Sequence, residues 1–337
     1  MKALVLIEQG KLVMMDMPKP KPGPNEVLIR TQAATICTSD LQDIKENSFG
    51  MVLPMIMGHE GSGIVEEIGQ EVTDFVPGDA VCTHPVIPCY QCESCRRGLS
   101  HLCDKMSHLG IDKGGVFAEY FVIRQDRARK KPECLDFAAA TLMEPVCVCL
   151  EALQRAQVSE GKRVLILGDG PFGIMMSRLC RRYSPKQIIV LGRHSFRMNY
   201  AGAEVTVINE KTVSDPLEEI MKLSENEGVD SAVLCVGTNE ALDLAVSALR
   251  SRGCLSVFSA VTGNPVVDMF KVHVKELSLA GSCNDEDMID EALSFLCDEN
   301  LALPELITHR LPFGEFEKAF ALAEKGKDEA LKVSLLF

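Results

Sequence analysis

The chain lacks an excess of basic residues, a long apolar run and an internal repeat. Its 35 Lys and Arg against 48 Asp and Glu give a formal charge of −13 at pH 7, which repels phosphate backbones and anionic lipid surfaces. No apolar run approaches the roughly 18 residues of a membrane-spanning helix, and no period of about 20–50 residues recurs. We therefore expect neither nucleic acid nor a membrane as a partner.

We expect no cleavable leader, because the opening MKALVLIEQGKLV turns polar after a few apolar residues. The 14 cysteines are therefore expected to be reduced thiols in a cytoplasmic protein, and disulfides are disfavoured. Reduced thiols can serve as metal ligands.

The length of 337 residues, with 46% hydrophobic and 25% charged residues, predicts a globular chain of two domains. Short apolar runs and turn residues in the first third predict a β-rich barrel or sandwich. The Ala-rich stretch 137–153 predicts a helix that leads into the second domain.

From Arg163 onward, continuous apolar runs alternate with helical stretches, which predicts an α/β fold with a doubly wound parallel sheet. The last fifty residues, with helices over 286–298 and 316–325 and a final strand, are expected to return to the first domain. The six predicted strands of the sheet are VLILG (164–168), QIIVLG (187–192), EVTVI (204–208), SAVLCVG (231–237), CLSVFSA (254–260) and ELSLAGS (276–282).

Four cysteines share a spacing of Cys-x2-Cys-x2-Cys-x7-Cys, which suits one tetrahedral thiolate site: Cys89, Cys92, Cys95 and Cys103. Four sulfurs close the coordination shell of zinc, so this metal is structural and leaves no position for substrate. The alternatives are paired disulfides, packed thiols or a nucleic-acid-binding zinc ribbon, and the last normally has a longer spacer and a basic setting.

A glycine-rich turn follows the first strand of the predicted sheet and precedes a helix. Its members Gly168, Gly170, Pro171, Phe172 and Gly173 form a GxGxxG motif. This context predicts a site where helix amides bind the diphosphate of a dinucleotide. The alternative is a tight structural turn without a ligand.

The second strand of the sheet ends without the acidic residue that would bind the adenosine ribose of NAD. It ends instead at Gly192 and Arg193, with Arg197 one helical turn further on. Two guanidinium groups would accept a 2′-phosphate, so NADP is favoured over NAD. The alternative is that both arginines are solvated at a helix start.

Cys37, His59, Glu60 and Glu144 form a second candidate metal set. Each alone is more often a packing residue, but together they offer a thiolate, an imidazole and one or two carboxylates. This donor set suits zinc and leaves a position open for water or substrate.

These residues lie in motifs through which the chain resembles the zinc-dependent medium-chain dehydrogenase/reductase family. The resemblance covers essentially the whole chain and is closer to the sorbitol and threonine dehydrogenase branch than to liver-type alcohol dehydrogenase. The further motifs are GHEGSGIV (58–65), PGD (77–79), GGVFAEY (114–120), EP (144–145) and LITHR (306–310).

The resemblance implies a GroES-like catalytic domain over 1–150 and 286–337, with a Rossmann domain over 151–285. It implies a homodimer or homotetramer that transfers a hydride between a nicotinamide cofactor and a secondary alcohol or polyol. Cys37 and His59 would bind the catalytic zinc with Glu144 or Glu60 as third ligand, and Ser39 would pass the proton outward. Residues at strand ends would contact the nicotinamide, the alternative being simple packing: Cys235, Val236, Ser259 and Ala260.

The chain departs from the family pattern after Cys37, where Thr38 replaces a glycine and Gln42 replaces a histidine. Because Gln42 cannot titrate, a proton relay through Ser39 must end on the ribose, on water or on another group. Two rival functions stay open on this fold, namely a zinc-free quinone-type reductase and a catalytically weakened nucleotide-binding sensor.

Overall fold

The computed structural model describes residues 1–261 and 263–337, in which strands and helices alternate as the apolar pattern predicts. The strands are β1 (Lys2–Glu8), β2 (Lys11–Asp16), β3 (Glu26–Thr35), β4 (Met55–Ile56), β5 (Glu60–Ile68), β6 (Ala80–Thr83), β7 (Val86–Ile87), β8 (Ser107–His108), β9 (Tyr120–Arg124), β10 (Ala128–Lys130), β11 (Arg163–Leu167), β12 (Gln187–Gly192), β13 (Val205–Asn209), β14 (Val229–Leu234), β15 (Leu249–Val257), β16 (Ser278–Gly281), β17 (Ile307–Pro312) and β18 (Lys332–Leu336). The helices are α1 (Thr38–Glu46), α2 (Glu93–Arg96), α3 (Phe137–Ala140), α4 (Met143–Arg155), α5 (Pro171–Cys180), α6 (Ser195–Met198), α7 (Pro216–Leu223), α8 (Asn239–Ala248), α9 (Met269–Val274), α10 (Ile289–Leu296) and α11 (Phe316–Lys325).

The six apolar runs form one parallel sheet in the order β13-β12-β11-β14-β15-β16. Numbered from the first strand of this domain, the order is 3-2-1-4-5-6, that of a dinucleotide-binding fold. Every residue of β11 is buried, because helices cover both faces of the sheet. The predicted α/β fold with a doubly wound sheet is confirmed.

Five strands of the N-terminal part and the two C-terminal strands form a seven-stranded sheet in the order β10-β6-β5-β3-β18-β17, with β9 also paired to β3. The C-terminal strand β18 runs antiparallel to β3, with Ser334 opposite Thr35. The last two strands therefore belong to the same sheet as β3, β5, β6, β9 and β10 of the N-terminal part.

Helix α4 is buried from Met143 to Leu153 and connects the two sheets. Among the described residues, the stretch Phe137–Arg155 is long and apolar enough to cross a membrane, but it is mostly buried inside the protein. The expectation that no apolar run approaches that length overlooked this core helix.

Helix α10 shares a hydrophobic core with α4, α5, β11 and β12. Because α10 packs against the parallel sheet, β17 is the first element after residue 286 that pairs within the seven-stranded sheet. The division into 1–150 with 286–337 and 151–285 stays a prediction.

The sulfurs of Cys134 and Cys297 are bonded, although these residues are 163 positions apart in the sequence. The expectation that all thiols are reduced is wrong for this pair. The fold brings the loop before α3 close to the C-cap of α10, with the two Cα atoms 6.2 Å apart, and no local spacing announces such a contact.

Candidate active site and metal centres

The four-cysteine lobe brings its sulfurs together around one point. All four Sγ atoms lie within 4.8 Å of one another. The Sγ of Cys92 is 3.4 Å from that of Cys95 and 3.8 Å from that of Cys103. Zinc–sulfur bonds of about 2.3 Å in a tetrahedron require sulfur separations of about 3.8 Å, so the lobe fits a structural zinc.

Backbone amides donate to the sulfurs of Cys89, Cys92 and Cys103 and favour thiolates there, whereas burial raises the pKa of Cys95 to about 12. The amides of Gln91 and Cys92 donate to the Sγ of Cys89, and the amide of Lys105 donates to that of Cys103. The Gln91 amide is the largest influence that lowers the pKa of Cys89 to about 6. A thiolate with a lowered pKa binds a cation without an added cost of deprotonation at neutral pH.

The antiparallel pairing of β3 with β5 creates the second centre. Thr35 lies opposite Glu60, so Cys37 just beyond β3 and His59 just before β5 face each other. The ligand atoms of Cys37, His59 and Glu60 lie within 4.8 Å of one another, and all three residues are buried. The structure therefore brings together three of the four predicted ligands of a catalytic zinc.

Asp40 orients this centre, a role that the sequence analysis did not assign. Its Oδ1 is 3.1 Å from Nδ1 of His59, and its Oδ2 accepts the backbone N–H of Cys37 at 2.8 Å. Burial would lower the pKa of His59, but Asp40 raises it well above its ordinary value. With Nδ1 held by a carboxylate, Nε2 is the nitrogen free to bind a metal.

The two carboxylates that could be the third zinc ligand differ in their hydrogen-bond partners. Glu60 accepts a hydrogen bond from Nζ of Lys332 at 2.6 Å and another from the hydroxyl of Thr35. Glu144 is buried at the start of α4, and its Oε2 has no hydrogen-bond partner among the described residues. Burial raises the pKa of Glu144 to about 7. Glu60 lies closer to Cys37 and His59, whereas Glu144 has the free oxygen.

His108 is a further residue of this site that sequence reasoning missed. Its ring centre is 5.6 Å from that of His59, and β8 holds it in place by pairing with β7. Burial lowers its pKa to about 3. Its Nδ1 lies 2.7 Å from the carbonyl oxygen of Leu109, so Nδ1 carries the hydrogen and Nε2 is an acceptor.

Ser39 lies in the first turn of α1, next to the centre, and is half-buried. Gln42 is exposed on the same helix. Neither side chain forms a hydrogen bond within the described parts of the chain, so the structure brings Ser39 near Cys37 without giving it a relay partner.

The glycine turn has the geometry of a phosphate cradle. A Cβ on Gly173 would lie 2.0 Å from the carbonyl oxygen of Gly168, so close packing requires this glycine. A Cβ on Gly170 would meet no atom within 4 Å, so packing does not explain that glycine, whereas close approach by a ligand does. Gly170 caps α5 and Pro171 is its first residue, which points the helix amides at this open space.

The predicted nicotinamide contacts lie at the same edge of the sheet. Cys235 and Val236 follow β14, and the side chain of Val236 lies against Gly168. Ser259 and Ala260 follow β15, and the amide of Ser259 donates to the carbonyl of Leu234 at 2.9 Å. Carboxyl ends of parallel strands form the ligand-binding edge of such sheets.

The region past Gly192 differs in part from the expected phosphate site. The Oδ2 of Asp169 accepts the backbone N–H groups of Arg193 and His194 at 2.7 and 2.5 Å. A carboxylate therefore does lie beside this strand end, although it comes from the glycine turn. The guanidinium of Arg193 is exposed and pairs with Glu210 at 2.7 and 3.0 Å.

Arg197 is buried, and its Nε donates to the carbonyl oxygen of Ala330 at 3.0 Å. Burial lowers the pKa of this guanidinium. The structure thus places Arg197 at the contact with the C-terminal segment, away from the exposed strand end where a 2′-phosphate would bind. The helical spacing that suggested a pair with Arg193 cannot reveal this burial.

Comparison with known proteins identifies the family. Residues 23–133 match the alcohol dehydrogenase GroES-like domain, and residues 171–298 match the zinc-binding dehydrogenase domain. L-threonine 3-dehydrogenase of Pyrococcus horikoshii is 33% identical over 94% of this chain and 93% of its own. Sorbitol dehydrogenase of Arabidopsis thaliana is 31% identical over 93% and 89%. The crystal structure of galactitol-1-phosphate dehydrogenase from Escherichia coli superposes with a TM-score of 0.89, 26% identity and full coverage of both chains.

The chain belongs to the zinc-dependent medium-chain dehydrogenase family. It is an oxidoreductase of the zinc-binding type, with a GroES-like domain and a nicotinamide-binding Rossmann domain. The resemblance to the polyol and threonine dehydrogenase branch is confirmed. None of these observations favours the zinc-free reductase or the weakened sensor.

Proposed function

We propose that this enzyme transfers a hydride reversibly between a secondary alcohol or polyol and NADP, with one catalytic and one structural zinc. The observation that carries the proposal is the buried cluster of Cys37, His59 and Glu60, which Lys332 joins to the dinucleotide turn. Nζ of Lys332 lies 2.6 Å from Glu60 and 5.5 Å from the ring centre of Phe172 in that turn. A reacting alcohol and a nicotinamide could therefore meet between the two sheets.

Cys37, His59 and a carboxylate would hold the catalytic zinc. Glu144 is the third ligand that we favour, because Glu60 is already engaged by Lys332 and Thr35; Glu60 would exchange with it. When bound, the metal would supply Lewis-acid polarisation of the substrate oxygen. Asp40 keeps Nε2 of His59 directed at that position, and the buried walls exclude water.

Ser39 is the residue that we assign to the outward passage of the hydroxyl proton. Its hydroxyl can donate and accept at once, whereas Gln42 cannot change its protonation state. The relay then ends on the cofactor ribose or on water. His108 stays neutral near this position because burial holds its pKa low.

NADP is favoured over NAD because the strand ends at Gly192 without an acidic side chain of its own and presents Arg193. The guanidinium of Arg193 would exchange the carboxylate of Glu210 for the 2′-phosphate. Arg197, which we expected to share this role, donates a hydrogen bond to the carbonyl oxygen of Ala330 instead. We therefore do not assign it to the 2′-phosphate.

A substrate with more than one hydroxyl fits the polar groups near the cluster. The ring centre of His108 lies 5.6 Å from that of the metal-binding His59, and Nε2 of His108 is an acceptor. It would accept a hydrogen bond from a second hydroxyl of the substrate. Sorbitol dehydrogenase, one of the relatives, acts on a polyol by its name.

Apolar side chains on one edge support a homodimer or a homotetramer of this cytoplasmic enzyme. Strand β16 is the last strand of its sheet, and helix α9 precedes it in the chain. The exposed apolar residues of this segment are Val266 before α9, then Met269, Phe270 and Val274 in α9, and Leu279 in β16. A second copy would cover this surface and extend the sheet.

Secondary alcohols, polyols and amino alcohols assayed with both nicotinamides would test this function. We expect reduction of NADP by vicinal diols in zinc-loaded protein, with simple secondary alcohols poorer. Absence of nicotinamide reduction with every member of the panel in protein of verified zinc content would contradict the proposal.

A further inference from the structure

A third cluster of metal-binding side chains lies outside both predicted zinc centres. His101 belongs to the short turn Ser100–Leu102 of the cysteine lobe, Glu151 to α4, and Glu286 to the segment before α10. The ligand atoms of His101, Glu151 and Glu286 lie within 4.8 Å of one another. Three separate parts of the chain therefore converge on one point.

Two of these side chains are buried, and each has one polar atom without a hydrogen-bond partner among the described residues. His101 is 5% exposed and Glu151 is 3% exposed. Neither Nδ1 of His101 nor Oε2 of Glu151 has a partner within residues 1–261 and 263–337. Because an unpaired buried polar group costs about 1–3 kcal/mol, such atoms indicate a ligand that satisfies them.

The buried cluster of His84, Cys147 and Asp285 provides a contrast, because its donors are already used. Nε2 of His84 is 2.6 Å from Oδ1 of Asp285, and its Nδ1 accepts from Arg127 at 2.7 Å. The guanidinium of Arg127 also repels a cation there. The His101 cluster has spacing suited to a metal and, in addition, free donor atoms.

The charges of the cluster favour a cation. Glu151 and Glu286 place two carboxylates beside one imidazole, and the nearby Arg155 directs its Nε to the carbonyl of Gly281 at 3.0 Å. Burial raises the pKa of the Glu151 carboxyl, and repulsion from Glu286 raises it further. A divalent ion would remove that repulsion.

We propose that His101, Glu151 and Glu286 bind a third metal ion, a divalent transition metal for which Zn²⁺ is the best match. One nitrogen and two carboxylate oxygens suit zinc, with water as the fourth ligand. Tetrahedral bonds of about 2.0–2.1 Å need ligand separations near 3.3 Å, which the exposed side chain of Glu286 supplies by moving inward. The ion joins the cysteine lobe, α4 and the segment before α10.

Equilibrium dialysis against low-micromolar free Zn²⁺, followed by elemental analysis, tests this site on the full chain. Glu151→Gln and Glu286→Gln should each bind one zinc fewer than the wild type. Glu299→Gln removes the same charge from an exposed position after α10 and should bind as much zinc as the wild type. Added zinc should also raise the melting temperature of the wild type more than that of Glu286→Gln.

Equal zinc content in the wild type, Glu286→Gln and Glu299→Gln would overturn the proposal. Because Glu286 is exposed, its variant keeps the test decisive even if Glu151→Gln fails to fold. The same difference of one zinc is expected in a Cys37→Ala background. If Cys37→Ala kept its turnover, the proposed function would be wrong. The difference of one zinc between Glu286→Gln and its parent would still be expected, so the two failures can be told apart.

Discussion

Lys332 and Glu60 form a buried ion pair, with Nζ and Oε1 2.6 Å apart although the two residues are 272 positions apart in the sequence. Both side chains are almost fully inaccessible to solvent, at 2% and 0% exposure. Burial would lower the pKa of Lys332, but Glu60 raises it above the ordinary value, so the ammonium form of Lys332 is favoured. The pair fixes the C-terminal strand against the metal cluster and lies beside Phe172 of the cofactor turn.

Replacing Lys332 with Met should destabilise the protein by about 3–5 kcal/mol, because Glu60 is left as a buried, unpaired charge. The double variant Lys332→Met/Glu60→Gln should lose less than the sum of the two single variants. Urea denaturation of all four proteins measures this coupling. Additive losses would show that the two groups do not depend on each other.

The orienting role of Asp40 predicts a selective loss of metal. In Asp40→Asn the charge that holds Nδ1 of His59 is removed, so affinity for the catalytic zinc should fall about 10–100-fold. The zinc of the cysteine lobe should stay bound. Chelator competition with zinc counting separates the two sites, and an unchanged affinity at the Cys37 site would refute the orienting role.

A buried carboxyl in α1 predicts a dependence of stability on pH. Burial raises the pKa of Asp43 to about 6, and its Oδ1 has no partner among the described residues. Near pH 4 the carboxyl is largely protonated in the folded state. As pH rises toward 6 the unfolded chain ionises first, so stability falls, and above pH 6 the loss is constant.

Asp43→Asn cannot ionise and should therefore be more stable than the wild type at pH 7, by about 1–2 kcal/mol after allowance for solvent screening. The advantage should vanish near pH 4. Denaturation at both pH values checks this, with the exposed Asp74→Asn as control. An advantage of the same size at both values would exclude ionisation as its cause.

Cofactor choice should depend on Arg193 and its partner Glu210. Arg193→Ala should lower kcat/KM for NADP about tenfold or more, since a hydrogen bond to a charged group is worth about 1.5–3 kcal/mol, and should spare NAD. Glu210→Gln should favour NADP because it frees the guanidinium. Arg197→Met is the matched control and should lower stability without changing the ratio. An unchanged ratio in Arg193→Ala would remove the 2′-phosphate assignment.

The local pattern of residues was sufficient to predict many of the strands and helices and two of the sites. Six apolar runs predict the six strands of the parallel sheet. The helix expected over 316–325 coincides with α11, and the helix expected over 286–298 contains α10 (Ile289–Leu296). Dense cysteine spacing and the glycine turn likewise mark their sites, because their ligands are neighbours in the chain.

Contacts made by tertiary packing were not predictable in this way. The pairing of Lys332 with Glu60 and the packing of His108 against His59 join distant segments, and neither residue type signals its partner. Arg197 shows the opposite error, because its spacing from Arg193 suggests a shared ligand while the fold buries it against Ala330. The bond between Cys134 and Cys297 was missed for the same reason.

The most direct test of the account compares zinc content, turnover and melting temperature in Cys37→Ala and Cys95→Ser. We predict that Cys37→Ala loses one zinc and nearly all hydride transfer while its melting temperature changes little. Cys95→Ser should lose a different zinc, melt at a lower temperature and keep turnover while folded. Hydride transfer by Cys37→Ala at the wild-type rate would contradict the central claim that a zinc ion bound by Cys37 and His59 carries out the reaction.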